Sequence, residues 1–268
     1  MSAAADLAAD LDLANRLADA AGAAIRPLFR GTWSEERKAD ASFVTEADRA
    51  AEAAMRAILE MERQQDGIHG EEYGVTRESA ARQWVLDPID GTTSFIAGRP
   101  IFGTLIALMQ DGWPVIGVID QPVLKERWAS RVGEATTLNG RAIRTRPCPE
   151  LSGAVLATTS PNLFGEDEAD AFMGLARGVA QRKIVWGGDC YNYGLLASGH
   201  IDVVCEAGLK LHDYAALVRV VEGAGGIMAD WQGNPLDAGS AEAENGRVLA
   251  VGDPARLEDV LEAMGGAR

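Results

Sequence analysis

The amino-acid sequence predicts a protein of mixed helix and sheet, of α+β type in its first half and α/β type in its second. Three observations support this class: an apolar helical stripe at the amino end, apolar runs separated by turn signals in the middle, and strands alternating with helices after residue 151. The polar, proline-containing stretch 144–151 is the best internal boundary. We therefore expect two halves, residues 1–146 and 147–268, that pack as one unit.

Two helices are predicted to open the chain. Apolar residues recur every three or four positions between residues 7 and 28, which is the spacing of one helix face. Thr45 precedes a second stretch of this kind and is a typical N-cap residue, so we expect a helix to begin directly after it.

The rest of the first half is predicted to form a sheet. Residues 84–87 form a short apolar run that we expect to be a strand ending at Asp87. The runs 101–109 and 113–120 flank Asp111-Gly112, a strong signal for a two-stranded hairpin. Asn139-Gly140 indicates another turn near the end of this sheet.

The second half is predicted to alternate strands with helices. Short apolar runs predict five strands, at residues 154–159, 183–186, 201–205, 226–230 and 247–251. Longer stretches with helical spacing predict three helices, at residues 169–180, 191–198 and 213–223.

Composition excludes several classes of partner. Lys and Arg number 25 against 40 Asp and Glu, a formal charge of −15 that repels nucleic acid and anionic membranes. No apolar run is as long as a membrane span. The three cysteines, Cys148, Cys190 and Cys205, are odd in number and far apart, as expected for reduced thiols. We expect a cytoplasmic protein that binds neither nucleic acid nor membranes.

The most informative motif runs from Asp87 to Thr93, with the sequence Asp-Pro-Ile-Asp-Gly-Thr-Thr. Asp87 and Asp90 are separated by a turn that Pro88 and Gly91 favour, so both carboxylates can reach one point. The N–H groups after Asp90 would open a helix, which is a site for an anion. Carboxylates next to an anion need a divalent metal between them, and oxygen-only ligands with a phosphate are typical of Mg²⁺. On its own, the motif is also compatible with a capped turn carrying two solvated aspartates.

Further acidic residues accompany this motif. Glu71 lies in Gly70-Glu71-Glu72, Asp48 lies in the second helix, and Asp213 lies at a predicted helix start. Each alone admits a structural role, as a solvated residue, in a capping box or at a helix amino end. Together with residues 87–92 and the segment His212-Asp213-Tyr214-Ala215-Ala216, they resemble the inositol monophosphatase family of metal-dependent sugar phosphatases. The resemblance covers nearly the whole chain, and His212 stands where the family often has tryptophan.

The resemblance implies a layered αβαβα sandwich, two or three Mg²⁺ ions with Mn²⁺ as an alternative metal, a small phosphorylated substrate and a homodimer. It also implies the roles of particular residues. The implied metal ligands are four carboxylates and one carbonyl: Glu71, Asp87, Asp90, Asp213 and the carbonyl of Ile89. The implied catalytic pair that orients the attacking water is Asp48 with Thr92, and the amides of Gly91, Thr92 and Thr93 would hold the phosphate. Metal ions would neutralise the phosphate and lower the pKa of the water, so no protein nucleophile is needed.

Other phosphate-handling classes fit poorly. A haloacid-dehalogenase-type phosphatase needs two aspartates two positions apart, whereas Asp87 and Asp90 are three apart. A P-loop kinase needs a Gly-Lys dipeptide, which the chain lacks. The glycine-rich segment 222–226 follows a predicted helix and is better explained as a helix stop. A non-catalytic binding protein of the same fold stays an alternative, although every matched metal position keeps its ligand.

Three segments, 102–108, 119–122 and 186–191, are most similar to the histidinol-phosphate phosphatase branch of the family. The predicted reaction is therefore hydrolysis of histidinol phosphate to histidinol and phosphate, a step of histidine biosynthesis. Inositol 1-phosphate or a broad range of sugar phosphates is the alternative substrate. A bisphosphate nucleotidase is disfavoured because the sequence has no basic cluster for a second phosphate.

Histidinol phosphate carries an ammonium and an imidazole, so its pocket should contain carboxylates that do not bind metal. Glu206 matches the family position that contacts the leaving alcohol. Asp189, in Gly188-Asp189-Cys190, is the candidate that separates the two branches. Its alternative role is that of an N-cap for the helix predicted at 191–198.

Overall fold

In the computed structural model, which describes residues 3–32, 35–37, 43–238 and 246–265, helices and sheets alternate in five layers. The order of the layers is α, β, α, β, α. This is the layered sandwich that the sequence resemblance implies.

The first layer consists of α1 (Ala3–Ile25) and α2 (Glu46–Glu62). The buried stripe of α1, which includes Leu13 and Leu17, packs together with α2 on one face of the larger sheet. Thr45 is the N-cap of α2, as predicted, and its hydroxyl accepts a hydrogen bond from the Ala47 N–H.

The second layer is an eight-stranded sheet with the order β10-β9-β8-β7-β6-β5-β3-β4. All neighbours are antiparallel except β3 and β5. The predicted turns at Asp111-Gly112 and Asn139-Gly140 are confirmed, and all four residues have positive φ, as hairpin turns of this kind require. The strands are β3 (Gly67–Gly70), β4 (Gly74–Thr76), β5 (Arg82–Asp90), β6 (Gly103–Gln110), β7 (Trp113–Gln121), β8 (Glu126–Arg131), β9 (Thr137–Leu138) and β10 (Arg141–Ala142). A separate pair, β1 (Glu35–Arg37) and β2 (Phe43–Thr45), precedes α2.

Strand β5 does not end at Asp87, so that prediction was wrong. The strand runs to Asp90, and its register with β6 shifts between Asp87 and Asp90. Pro88 lacks an N–H and cannot extend a regular ladder, but its carbonyl accepts a hydrogen bond of 2.8 Å from the Thr104 hydroxyl on β6. The irregular segment therefore stays attached to the sheet.

The third and fifth layers flank a five-stranded sheet with the order β12-β11-β13-β15-β14. Strand β11 is parallel to both its neighbours, and the other pairs are antiparallel. The strands are β11 (Leu156–Thr158), β12 (Ile184–Trp186), β13 (Val203–Glu206), β14 (Ile227–Ala229) and β15 (Val248–Val251). The helices are α3 (Thr92–Ile96) after β5, α5 (Asp189–Ala197) and α6 (Leu211–Gly223) between the two sheets, and α4 (Glu166–Gly178) with α7 (Leu257–Ala263) on the outer face.

Helix α6 joins the two halves. It packs on β6 and β7 of the first sheet, whereas β13 and β14, which precede and follow it in the chain, lie in the second sheet. The first sheet ends at Ala142 and the second begins at Leu156; a domain boundary between residues 146 and 147 stays a prediction. The glycine-rich segment 222–226 ends α6, as predicted. All three cysteines are free and buried. None of the helices in the described part of the chain is long and apolar enough to cross a membrane.

Candidate metal centre and active site

Three aspartates meet where β5 ends and α6 begins. One carboxylate oxygen from each of Asp87, Asp90 and Asp213 lies within 4.8 Å of the other two. Asp87 is only 1% exposed, and its Oδ1 has no hydrogen-bond partner among the residues that the structure describes. Burial raises the pKa of Asp87 well above its ordinary value, and the negative charges of Glu71 and Asp90 raise it further. These carboxylates need a cation to be stable in their ionised form.

Main-chain groups fix the other two aspartates of the cluster. The Cys190 N–H at the start of α5 donates a hydrogen bond of 2.5 Å to Asp90 Oδ2. The Lys210 N–H, at the N-cap of α6, donates one of 2.6 Å to Asp213 Oδ2, and Asp213 Oδ1 lies 3.7 Å from Nε2 of His212. The structural and the metal-binding interpretations of Asp213 are therefore compatible.

Glu71 follows β3 in a loop that a buried glutamate holds in place. The Glu71 N–H donates to the Leu86 carbonyl of β5 at 3.1 Å. Glu52 of α2 is fully buried and accepts hydrogen bonds from the N–H groups of Glu72 and Tyr73, at 2.7 and 3.2 Å. Glu52 is a site residue that was not predicted from the sequence. The pattern that could have indicated it is a charged residue on the buried face of α2, one turn after Asp48.

Asp48 uses its two oxygens differently. Its Oδ2 accepts hydrogen bonds from the N–H and the hydroxyl of Thr45, at 2.8 and 2.6 Å, and completes a capping box. Its Oδ1 lies 3.5 Å from the Thr92 hydroxyl, which is 3.1 Å from the carbonyl oxygen of Ile89. Asp48 is fully buried, and burial raises its pKa to about 6. The predicted Asp48–Thr92 pair thus lies beside the predicted carbonyl ligand.

Gly91 turns the chain from β5 into α3. Its φ of 84° lies in the left-handed region, and a Cβ at this position would lie 2.7 Å from Asp189 Oδ2. A larger residue would therefore be strained both in its backbone and by its contact with Asp189. Helix α3 begins at Thr92, and its first hydrogen bond runs from the Phe95 N–H to the Gly91 carbonyl. The N–H groups of Thr92 and Thr93 have no acceptor inside the helix, which leaves them for a ligand.

A cavity of about 220 Å³ opens beside the cluster. Its lining includes Asp90 and Asp213 of the cluster together with Asp189 and Glu206. Asp189 lies near the cluster, since burial raises the pKa of Asp90 and the negative charge of Asp189 raises it further. Glu206 is 3% exposed, and burial raises its pKa to about 8. The N–H and the hydroxyl of Thr159 both donate to Glu206 Oε1, at 3.0 and 2.7 Å.

Asp189 is not a helix cap. Gly188 is the N-cap of α5, and Asp189 is its first residue, with a φ of 44° that an L-residue adopts at an energetic cost. Its Oδ2 lies 3.2 Å from the Ser94 hydroxyl, and its N–H donates to the Thr159 hydroxyl at 3.2 Å. Burial raises the pKa of Asp189 to about 6. The strained backbone therefore directs this carboxylate to the cavity and to α3, and Thr159 links it to Glu206.

The donor set of the cluster fits a hard divalent cation. All the candidate ligands are oxygens, and one of them, Asp87 Oδ1, is buried without a partner among the described residues. Burial and neighbouring negative charges raise the pKa values of Asp87, Asp90 and Asp213. The structure brings Asp87, Asp90 and Asp213 together, and Glu71 is near enough for its charge to act on Asp87. Asp189 and Glu206 line the adjacent cavity. The assignment of roles to these residues stays a prediction.

Comparison with known proteins agrees with this geometry. The model of the inositol monophosphatase family matches residues 6–263. The bifunctional phosphatase IMPL2 of Arabidopsis thaliana, named as chloroplastic, is 49% identical over 93% of this chain and 73% of its own length. A histidinol-phosphatase of Streptomyces coelicolor is 38% identical over 89% of this chain and 93% of its own. An inositol monophosphatase from Zymomonas mobilis has a similar structure, with a TM-score of 0.88 and 53% identity, over 99% of this chain and all of the other.

Proposed function

The chain belongs to the inositol monophosphatase family of phosphoric monoester hydrolases, and we propose that its substrate is histidinol phosphate. The observation that supports this substrate is a pair of carboxylates, Asp189 and Glu206, which line the same cavity as Asp90 and Asp213 and are not among the predicted metal ligands. The leaving group of histidinol phosphate carries an ammonium and an imidazole, which are donors that pair well with carboxylates. The leaving group of inositol phosphate offers neutral hydroxyls only.

The acidic cluster would hold two or three Mg²⁺ ions, through Glu71, Asp87, Asp90, Asp213 and the carbonyl of Ile89. When bound, these ions supply charge neutralisation of the phosphate and a lowered pKa for the attacking water. The Thr92 hydroxyl has a single hydrogen and two acceptors within reach, the Ile89 carbonyl at 3.1 Å and Asp48 Oδ1 at 3.5 Å. If the Ile89 carbonyl served as a metal ligand, that hydrogen would go to Asp48 Oδ1, and the Thr92 oxygen would accept a hydrogen from the water and orient it. The N–H groups of Gly91, Thr92 and Thr93 would hold the phosphate oxygens.

Inositol 1-phosphate, or a broad range of sugar phosphates, is the second candidate. It is favoured by the 53% identity to the Zymomonas mobilis inositol monophosphatase. The deciding experiment is kcat/KM for histidinol phosphate and for inositol 1-phosphate, measured side by side with Mg²⁺. We expect a preference of at least about tenfold for histidinol phosphate, the equivalent of one charge-assisted contact. Equal values, or a preference for inositol 1-phosphate, would contradict the proposal.

We also propose that the enzyme acts in the cytoplasm and as a homodimer. Its three cysteines are free and buried, as is usual in a reducing compartment. Light scattering coupled to size exclusion would measure the mass of the particle, and a monomer of 28.4 kDa would contradict the dimer.

A further inference from the structure

A second cavity, of about 660 Å³, lies between α1 and the edge of the first sheet formed by β7, β8 and β9. Helix α1 packs across β6, β7 and β8, and the cavity opens where this cover ends. None of its lining residues belongs to the acidic cluster or to the cavity beside it. One of the three segments that carry the branch resemblance, 119–122, contributes Asp120 and Pro122 to this cavity.

The floor of the cavity is the buried carboxylate of Asp120, of which one oxygen accepts a hydrogen bond. Asp120 is 4% exposed, and its Oδ1 accepts a hydrogen bond of 2.7 Å from Nε of Arg127, its partner across β7 and β8. Within the described chain, Asp120 Oδ2 receives no hydrogen bond. The terminal nitrogens of Arg127 donate to the carbonyl of Asn15 and to the carboxylate of Asp19 on α1, at 3.1 and 2.7 Å, rather than to Asp120 Oδ2. The floor therefore presents an acceptor that lacks a donor.

The rim of the cavity carries two cations. Arg26, directly after α1, and Lys125, in the turn between β7 and β8, have side chains without a hydrogen bond or close ion pair to any residue in the described ranges. A Cβ on Gly22 would lie 2.8 Å from Arg26 Nη1 and 3.6 Å from Asp120 Oδ2. A glycine inside a helix is unfavourable, and here it keeps open the space between the guanidinium and the carboxylate.

The charges of the cavity suit a molecule that carries both signs. With Arg127 and Asp19, the lining holds three cations and two anions, a local excess of positive charge in a chain whose net charge is −15. A simple anion would leave Asp120 Oδ2 without a donor, and a simple cation would meet the positive rim. A molecule with an ammonium next to a carboxylate satisfies both.

We propose that this cavity binds a free α-amino acid, with the ammonium on Asp120 Oδ2 and the carboxylate between Arg26 and Lys125. The side chain of the amino acid extends along the lining formed by Leu11, Pro122 and Ala129. The site is independent of the phosphatase reaction and of the identity of its substrate.

The test is calorimetric titration of the full-length protein, with Mg²⁺ present, using each of the twenty L-amino acids at millimolar concentration. We expect at least one to bind, and its Kd to weaken about tenfold or more in Arg26→Gln and in Lys125→Gln, since each removes a charged contact. Arg16→Gln is the matched control, because Arg16 lies on α1 but outside the cavity, where it pairs with Glu62. It should leave the Kd unchanged, and all three variants should keep phosphatase activity.

Acetate and ethylamine test the need for both charges, because each carries one of them. Neither should bind in the range where the amino acid does. The proposal is overturned if no amino acid binds, if acetate binds as well as the amino acid, or if Arg26→Gln and Lys125→Gln bind like the wild type. The last result would place the amino acid in another cavity, such as the one between Asp189 and Glu206.

Discussion

Asp189→Asn offers the sharpest test of substrate recognition. The substitution keeps the size of the side chain and an oxygen that can accept from Ser94, but it removes the negative charge. Asp189 does not cap α5, so the variant loses no cap, and asparagine tolerates the left-handed backbone at this position. The negative charge of Asp189 also acts on Asp90, so the loss on a cationic substrate has to be compared with the loss on a neutral one.

The magnitude follows from the surroundings of the carboxylate. A charge-assisted hydrogen bond at a partly buried site contributes about 1.5–3 kcal/mol. The Ser94 hydroxyl already contacts Asp189 Oδ2, and the positive charge of Arg99 also acts on the carboxylate. Both reduce what a substrate ammonium can gain, so we take the lower part of the range, about 1.5–2 kcal/mol, which is roughly a 10- to 30-fold loss in kcat/KM.

The assay compares histidinol phosphate with phenyl phosphate, whose leaving group has no cation. We expect the loss on histidinol phosphate and nearly unchanged hydrolysis of phenyl phosphate. Asp167→Asn is the matched control, an exposed aspartate in the first turn of α4, and it should affect neither substrate. Equal losses on both substrates would show that Asp189 does not recognise the cation of the substrate. Asp189 would then be a structural residue, and Glu206 would remain as the specificity candidate.

Three further predictions concern the acidic centre. Asp90→Asn should reduce kcat by several orders of magnitude with an unchanged circular dichroism spectrum, and more than about a tenth of wild-type activity at saturating Mg²⁺ would contradict its role as a ligand. Mg²⁺ should raise the Tm, by an amount that corresponds to about 2.7 kcal/mol at a hundredfold excess over Kd, and EDTA should reverse it; a melting curve that does not change in millimolar Mg²⁺ would count against the site. Burial raises the pKa of Glu206 from its ordinary 4.5 to about 8, so the folded, metal-free protein holds a proton that the unfolded chain releases. Its stability should therefore fall as the pH rises from 4.5 to about 8, and Glu206→Gln should flatten this part of the profile in thermal melts with EDTA.

Local patterns predicted much of the fold, because local forces decide the elements concerned. The spacing of apolar residues located α1, Thr45 predicted the start of α2, and Asp111-Gly112 predicted the turn between β6 and β7. The predicted end of β5 was wrong because Pro88 favours a turn locally, whereas the hydrogen bond from Thr104 on the neighbouring strand keeps the segment in the sheet. That contact joins residues 16 apart, beyond the reach of local propensity.

The same division applies to the site. The acidic motif at residues 87–93 and the acids around it were enough to predict the chemistry, because carboxylates clustered beside a helix start suit a divalent metal and a phosphate. The orientation of those side chains depends on contacts with distant parts of the fold: Glu52 holds the loop of Glu71, the Cys190 N–H holds Asp90, and Thr159 links Asp189 to Glu206. These partners lie 20 to 100 positions apart. Hydrogen bonds across such distances depend on how layers pack, and packing is a property of the whole chain that no single motif contains.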